Sequence, residues 1–197
     1  LGRMADQLLM LARAEAGALV PEMTSIDLST LVDDTVRLWQ PLALERDVAV
    51  VGEPGADRDG GAVWGDRDLL RRLLDNLIDN ALRHSPPGSE VAVITRRVER
   101  NWELVVADSG PGVPDGAKAS IFERFSRADQ SRARETGGAG LGLALCAAIA
   151  QLHRGSIRLD DRPGPGARFV VRLPPTPTGD EHDSQAFAAD LRPVRSR

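Results

Sequence analysis

This chain of 197 residues contains a single cysteine, Cys146, and a single lysine, Lys118. One cysteine cannot form an internal disulfide bond. Its place in the apolar run 141–150, with no adjacent base, predicts a buried core residue and not a nucleophile. No hydrophobic run is long enough to span a membrane, and no signal peptide begins the chain. We therefore expect it to fold in a reducing, aqueous compartment.

Positive charge is not in excess either. The formal net charge is -4 at pH 7, so nucleic acid is not an expected main partner. The length and the hydrophobic content of 42% suit one substantial domain with an appendage. Because the chain begins with Leu1 and not with Met, we expect it to be a fragment of a longer protein.

Hydrophobic periodicity divides the chain into segments 1–20, 21–174 and 175–197, the last predicted to be a disordered tail. A short helix at 2–16 is expected to pack its apolar stripe on another helix or a partner chain, because such helices are marginal alone. Further helices are predicted at 29–44, 67–84 and 140–153, with Ser29 and Asp66 as N-caps of the first two. Strands are predicted at 25–28, 48–51, 90–98, 102–107, 156–160 and 167–173, and a turn at 57–61.

Two asparagines four residues apart, Asn76 and Asn80, lie within the apolar pattern of the helix predicted at 67–84. On a helical projection they fall with Arg83 at one edge of the apolar arc. An amide that borders a buried face must be satisfied by protein, water or ligand. From this helix alone, two interpretations stay open: hydrogen bonds to neighbouring loops, or a binding site.

Two glycine clusters follow the asparagines, one after a predicted strand and one at the start of a predicted helix: Asp108-Ser109-Gly110-Pro111-Gly112 and Gly137-Gly138-Ala139-Gly140-Leu141-Gly142. A helix N-terminus offers free N–H groups and a positive dipole, so the second cluster suits a phosphate. It is not a Rossmann fingerprint, because it does not follow a first strand directly. The chain also lacks the Gly-Lys-Ser/Thr of a Walker loop. Each cluster alone is more often a turn, so their order after the asparagines is the specific signal.

With these motifs in this order, the chain resembles the ATP-binding domain of bacterial sensor histidine kinases, in the superfamily that includes gyrase and heat-shock chaperone ATPases. The resemblance extends to about residue 174 and rests on four motifs: Asn76-Leu-Ile-Asp-Asn80-Ala, Asp108-x-Gly110-x-Gly112, Phe122-Glu-Arg-Phe125 and Gly138-x-Gly140-Leu-Gly142-Leu. It implies an α+β fold, a two-layer α/β sandwich of the Bergerat type with a mixed sheet backed by helices. It also implies that residues 1–20 are the second helix of a dimerisation and phosphoacceptor hairpin.

The resemblance assigns a role to each matching residue. Asn80 would coordinate Mg²⁺ through its amide oxygen, Asn76 would help to hold the site, and Arg83 would reach phosphate; these three form the expected catalytic set. His84 would pack near the base, or be a surface histidine without a role. Asp108 would accept a hydrogen bond from the adenine amine, unless it is only a turn residue. The other expected nucleotide-binding residues are Gly110, Gly112, Gly138, Gly140, Leu141 and Gly142.

Residues 113–137 correspond to a mobile lid over ATP in that family. Phe122 and Phe125 are expected to anchor one end of the lid, and four arginines to supply charge to it: Arg124, Arg127, Arg132 and Arg134. Gly164 and Gly166, between the last two strands, are interpreted as a hairpin turn.

The position of Asn76 distinguishes the kinases from their hydrolysing relatives, which place a glutamate there to activate water. Asparagine cannot act as a base at neutral pH, so the resemblance implies transfer of the γ-phosphoryl group to a histidine. Among the histidines of this chain, His84, His153 and His182, none is a candidate acceptor. We expect the acceptor on the first hairpin helix, upstream of Leu1; the alternative is an acceptor on another polypeptide.

The resemblance thus implies an ATP-dependent protein-histidine kinase that uses ATP and Mg²⁺. Its partners would be a response regulator and its own upstream phosphoacceptor helix, in a homodimer when full length. The domain would be cytoplasmic, and upstream segments would anchor the full-length protein in a membrane. The alternative is a non-catalytic, nucleotide-binding regulatory module of the same fold.

Overall fold

The computed structural model describes residues 2–54, 62–126, 140–160 and 165–176. Its helices are α1 (Gly2–Glu15), α2 (Leu28–Glu45), α3 (Arg67–His84), α4 (Asp115–Lys118) and α5 (Gly142–Leu152). Its strands are β1 (Thr24–Asp27), β2 (Val48–Pro54), β3 (Ala62–Gly65), β4 (Ser89–Val98), β5 (Asn101–Ala107), β6 (Ser156–Leu159) and β7 (Arg168–Leu173).

The main sheet has five strands in the order β2-β4-β5-β7-β6. Strands β2 and β4 pair in parallel, and the remaining pairs are antiparallel. Strands β1 and β3 form a separate antiparallel ribbon. The sheet is therefore mixed, as predicted.

Side-chain alternation gives the sheet a buried face, because successive residues of a strand point to opposite sides. The register places Val93 beside Val106 and Val106 beside Phe169, and all three are at most 2% exposed. Helix α2 packs on β2, α3 on β5, and α5 on β6 and β7. The helices thus back one face of the sheet, and the predicted two-layer sandwich is confirmed.

Helix α3 lies at the centre of this layer. Its N-cap is Asp66, as predicted, because Asp66 Oδ1 accepts hydrogen bonds from the N–H groups of Asp68 and Leu69, each at 3.0 Å. The whole predicted apolar arc is buried: Leu69, Leu70, Leu73, Leu74, Leu77, Ile78, Ala81 and Leu82. Burial of one leucine contributes roughly 1.5–3 kcal/mol, so this arc dominates the local packing.

Two local predictions near the N-terminal ribbon were wrong. The N-cap of α2 is Asp27 and not Ser29, since Asp27 Oδ1 accepts from Ser29 N–H at 2.8 Å and from Thr30 N–H at 3.1 Å. Buried Leu28 starts the helix, so β1 runs into α2 without a loop. The sequence pattern also missed β3, which has only four residues and depends on pairing with β1.

Other predictions differ at their edges. The helix predicted at 140–153 begins at Gly142, because Gly140 has a φ of 69° and cannot be helical. Cys146 is fully buried, as predicted, and burial raises the pKa of its thiol.

In the described part of the chain, no helix combines the length and apolarity that crossing a membrane requires. The turn predicted at 57–61, and the tail from residue 177 onward, lie outside the described residues.

His153 at the C-terminal end of α5 ties that helix to the start of α3. Its Nδ1–H donates to the Ile149 carbonyl at 2.7 Å, and its Nε2 accepts from Asp66 N–H at 2.9 Å. The ring therefore needs an unprotonated Nε2. His153 is 1% exposed, and burial lowers the pKa of the imidazole below its ordinary value of 6.5.

This pKa makes stability depend on pH. The unfolded chain binds a proton at His153 more strongly than the folded chain, so the free energy of unfolding should fall as the pH drops below about 6.5. Urea unfolding at pH 7.5 and 5.5 should show this loss in the unmodified chain. His153→Gln should flatten the dependence, whereas His84→Gln, at an exposed position, should keep it. Equal pH dependence of the unmodified chain and His153→Gln would contradict the assignment.

Candidate functional site

The two asparagines of α3 differ in how their carboxamides are used. Asn76 Nδ2 donates to the Arg72 carbonyl at 2.7 Å, and Asn76 Oδ1 accepts from Gln7 Nε2 of helix α1 at 2.8 Å. Asn80 is partly exposed, and its carboxamide makes no hydrogen bond to any residue in the described part of the chain. Among the described residues, no loop therefore binds the Asn80 amide, in contrast to the bound amide of Asn76.

Arg83 lies one helical turn beyond Asn80. Its Nη2 contacts Asp79 Oδ2 at 2.7 Å, and the two side chains are only about one-fifth exposed. This i,i+4 pair holds the guanidinium group against α3.

The C-terminal end of α3 meets the first glycine cluster. The backbone of Gly110 comes so close to the His84 carbonyl that a Cβ on residue 110 would lie 2.6 Å from that oxygen. The His84 side chain itself is exposed. The structure thus brings the asparagine helix and the first glycine cluster together, as the resemblance implies.

Asp108 follows β5 directly and is 8% exposed. Its Oδ1 accepts from Gly110 N–H at 2.9 Å and from Ala167 N–H at 3.0 Å, while its own N–H donates to the Ala167 carbonyl at 3.0 Å. These bonds fix the carboxylate and leave Oδ2 without a hydrogen bond to the described residues. Asp108 can therefore offer one oriented acceptor to a ligand.

The backbone of Gly166 packs directly against Asp108, so the interpretation of Gly166 as only a hairpin turn was incomplete. It has a φ of 84°, and a Cβ here would overlap the Asp108 carbonyl group. Sequence reasoning also missed Ala167, whose backbone holds Asp108. Neither residue carries a local signal, because their partner lies 59 residues away from Ala167 in the chain.

The start of helix α5 borders Asn76. A Cβ on Gly142 would lie 3.2 Å from Asn76 Oδ1, so the helix N-terminus and the α3 edge are in direct contact. Leu141 precedes the helix and is fully buried. The free N–H groups and the positive dipole of α5 thus face the same region as the asparagines. Gly138 lies outside the described residues.

The described first part of the predicted lid, residues 113–126, is anchored at Phe122, as predicted. Phe122 packs edge-to-face on Phe169, with ring centroids 6.2 Å apart. The Phe125 side chain does not anchor it, because it is 59% exposed and only its backbone N–H is held, by the Gly140 carbonyl at 2.8 Å. Arg124 pairs with Glu15 of α1. The remaining predicted lid arginines, Arg127, Arg132 and Arg134, and also Gly164, lie outside the described residues.

The candidate site therefore has an oriented carboxylate at one end of α3 and the N-terminus of α5 at the other. Between them on α3 lies Asn80, whose amide has no hydrogen-bond partner among the described residues. Residues 65–177 match the family described as histidine kinase-, DNA gyrase B-, and HSP90-like ATPases. The chain belongs to this family, and it is an ATP-binding catalytic domain of the histidine kinase type.

Individual proteins similar to this chain carry the names of histidine kinases, in agreement with the family match. The sensor-like histidine kinase SenX3 of Mycobacterium tuberculosis is 36% identical over 200 residues, which cover 100% of this chain and 48% of SenX3. The structure of full-length ShkA in complex with AMPPNP matches with a TM-score of 0.74 and 28% identity, over 86% of this chain and 34% of that one. The structure of the mycobacterial sensor histidine kinase MprB matches with a TM-score of 0.64 and 29% identity, over 79% of this chain and 99% of that one. The chain spans about half the length of SenX3.

The close contact between Gly166 and Asp108 can be tested by comparing substitutions at two glycines of similar backbone conformation. Gly166 and Gly88 have φ values of 84° and 75°, but a Cβ on Gly88 meets nothing within 4 Å. Gly88→Ala should cost about 1 kcal/mol for the left-handed backbone alone. Gly166→Ala should cost roughly 1–3 kcal/mol more, because the methyl group displaces Asp108. Equal losses in urea unfolding would show that the Gly166 contact does not constrain the fold.

Proposed function

We propose that this domain binds Mg²⁺-ATP and transfers the γ-phosphoryl group to a histidine of a helical hairpin, from which an aspartate of a response regulator receives it. The observation that carries this proposal is that two segments lie against α3, the helix that bears Asn80: the loop of Asp108, through Gly110 at the His84 carbonyl, and the N-terminus of α5, through Gly142 at Asn76. Each suits a different part of a nucleotide.

The base belongs at Asp108. An acceptor-only carboxylate with one free oxygen complements the adenine amine, whereas guanine presents a carbonyl at that position and would be repelled. The bonds from Gly110 and Ala167 hold the carboxylate in place before the base arrives. Gly112 lies in the same loop, with a φ of 77°.

The phosphates belong at the N-terminus of α5, where Gly140, Leu141 and Gly142 lead into the helix. The first backbone N–H groups of a helix have no intrahelical partners, so they can donate to phosphate oxygens. Arg83, now paired with Asp79, and the lid arginines would add positive charge.

A divalent cation fits the residues that are present. No cluster of three or more His, Cys, Asp or Glu residues able to hold a metal occurs among the described residues. Mg²⁺ instead takes oxygen ligands and usually binds through few protein groups together with substrate phosphates. Asn80, with its free amide oxygen, would hold it, and Asn76 would assist. When bound, Mg²⁺ neutralises charge on the transferred phosphoryl group.

Transfer is favoured over hydrolysis because Asn76 cannot remove a proton from water. The acceptor is a histidine other than the described ones of this chain, since His153 is buried and bonded on both ring nitrogens, and His84 adjoins the nucleotide site. We propose that helix α1 belongs to the acceptor hairpin, that the full-length protein is a membrane-anchored homodimer, and that this domain is cytoplasmic. The names of the relatives as sensor kinases support this proposal.

Removal of the Asn80 amide tests the metal assignment. Calorimetric titration with AMPPNP should show tighter binding in Mg²⁺ than in EDTA. Asn80→Ala should reduce this advantage by roughly tenfold or more, equivalent to about 1.4 kcal/mol, and leave binding in EDTA unchanged. Asn101→Ala, a matched change on β5, should alter neither. Unchanged Mg²⁺ dependence in Asn80→Ala would remove Asn80 from the metal site.

The proposal that the phosphoryl acceptor is a histidine of a helical hairpin is tested by adding such a hairpin to this chain. This chain incubated with radiolabelled ATP should gain negligible acid-labile phosphate, because its own histidines are not acceptors. Addition of the hairpin of a relative such as SenX3 should yield phosphohistidine on the hairpin, and Asn80→Ala should abolish the transfer. Phosphohistidine on the isolated chain would contradict the proposal. Nucleotide binding without transfer to any hairpin would favour the regulatory module.

A further inference from the structure

Helix α1 contacts the nucleotide site at two points. Gln7 Nε2 donates to Asn76 Oδ1 at 2.8 Å, and Glu15 pairs with Arg124, in the described first part of the predicted lid. Gln7, Leu11 and Glu15 follow one another at intervals of four residues, so they form one row along α1. Leu11, in the middle of the row, is 2% exposed. This row therefore docks α1 on the domain between the edge of α3 and the base of the lid.

The Asn76 carboxamide is bound at both ends. Its Nδ2 donates to the Arg72 carbonyl, and its oxygen faces the opposite way, toward the start of α5, where it accepts from Gln7. Among the described residues, the amide of Asn80 has no such partners.

A hydrogen-bonded amide oxygen is a poorer ligand for Mg²⁺. The bond uses one of its two lone pairs and withdraws electron density from the oxygen. Mg²⁺ needs near-ideal octahedral geometry and short distances, so it tolerates such a ligand badly.

We propose that Gln7 is a positioning residue of the nucleotide site. While α1 is docked, the hydrogen bond from Gln7 makes the Asn76 oxygen a weaker ligand for Mg²⁺, so that docking of α1 and binding of the Mg²⁺-nucleotide oppose each other. This inference rests on the proposed function, because it takes Asn76 to face Mg²⁺-ATP. By linkage, the Mg²⁺-nucleotide must weaken the docking of α1 by the same factor by which docking weakens its binding.

The variant Gln7→Met removes the donor and keeps the length of the side chain. In calorimetric titrations of the whole chain with AMPPNP, it should bind about three- to tenfold more tightly than the unmodified chain in Mg²⁺, the range for loss of one hydrogen bond. Binding in EDTA should not change. Gln151→Met, the same change at an exposed position of α5, should leave both affinities unchanged.

Hydrogen exchange of α1 provides a second readout, one that a merely structural role of Gln7 would not produce. Amides of residues 2–15 should exchange faster with AMPPNP and Mg²⁺ than with AMPPNP in EDTA. The inference is overturned if the unmodified chain binds AMPPNP but Gln7→Met has the same Mg²⁺ dependence, or if α1 is equally protected in both conditions. Failure of the unmodified chain to bind AMPPNP at all would overturn the proposed function, and the inference with it.

Discussion

The fixed orientation of helix α3 about its own axis is the constraint on which the rest of the candidate site depends. Eight apolar residues bury one face of this helix against the sheet and the neighbouring helices. Because successive residues differ by about 100°, turning the helix by one position would expose leucines and bury charges. Asn76, Asn80 and Arg83 are therefore held at the edge of the core by packing energy to which they contribute little themselves.

The other side chains of the site are oriented from this helix and the sheet. Asp108 is fixed by the backbone at Gly110 and Ala167, and Gly110 fits because its backbone lies against the His84 carbonyl at the end of α3. Helix α5 packs on α3, which sets its N-terminus beside Asn76. A site built in this way is organised before any ligand enters, as phosphoryl transfer requires, since its catalysis comes mainly from positioning and charge neutralisation.

Helix α1, which precedes the residues that match the family, also touches the candidate site. Its Gln7 contacts Asn76 and its Glu15 contacts Arg124, in the first part of the predicted lid. Asn76 and Asn80 look equivalent in the sequence, but among the described residues only the amide of Asn76 is bound. Any movement of α1 relative to the domain must therefore break bonds at the site.

Sequence alone determined the periodic features, namely the buried arc of α3, its Asp66 cap and the core position of Cys146, because helix and strand periods are local properties. The mixed sheet was expected from the resemblance that the order of the site motifs carries. Sequence alone did not determine β3, the cap at Asp27, the exposure of Phe125, or the roles of Gly166 and His153. Only the tertiary structure decided these, and also the capture of Asn76 by Gln7. Each depends on a partner brought close by packing, often from far along the chain, and such a partner leaves no trace in the local pattern.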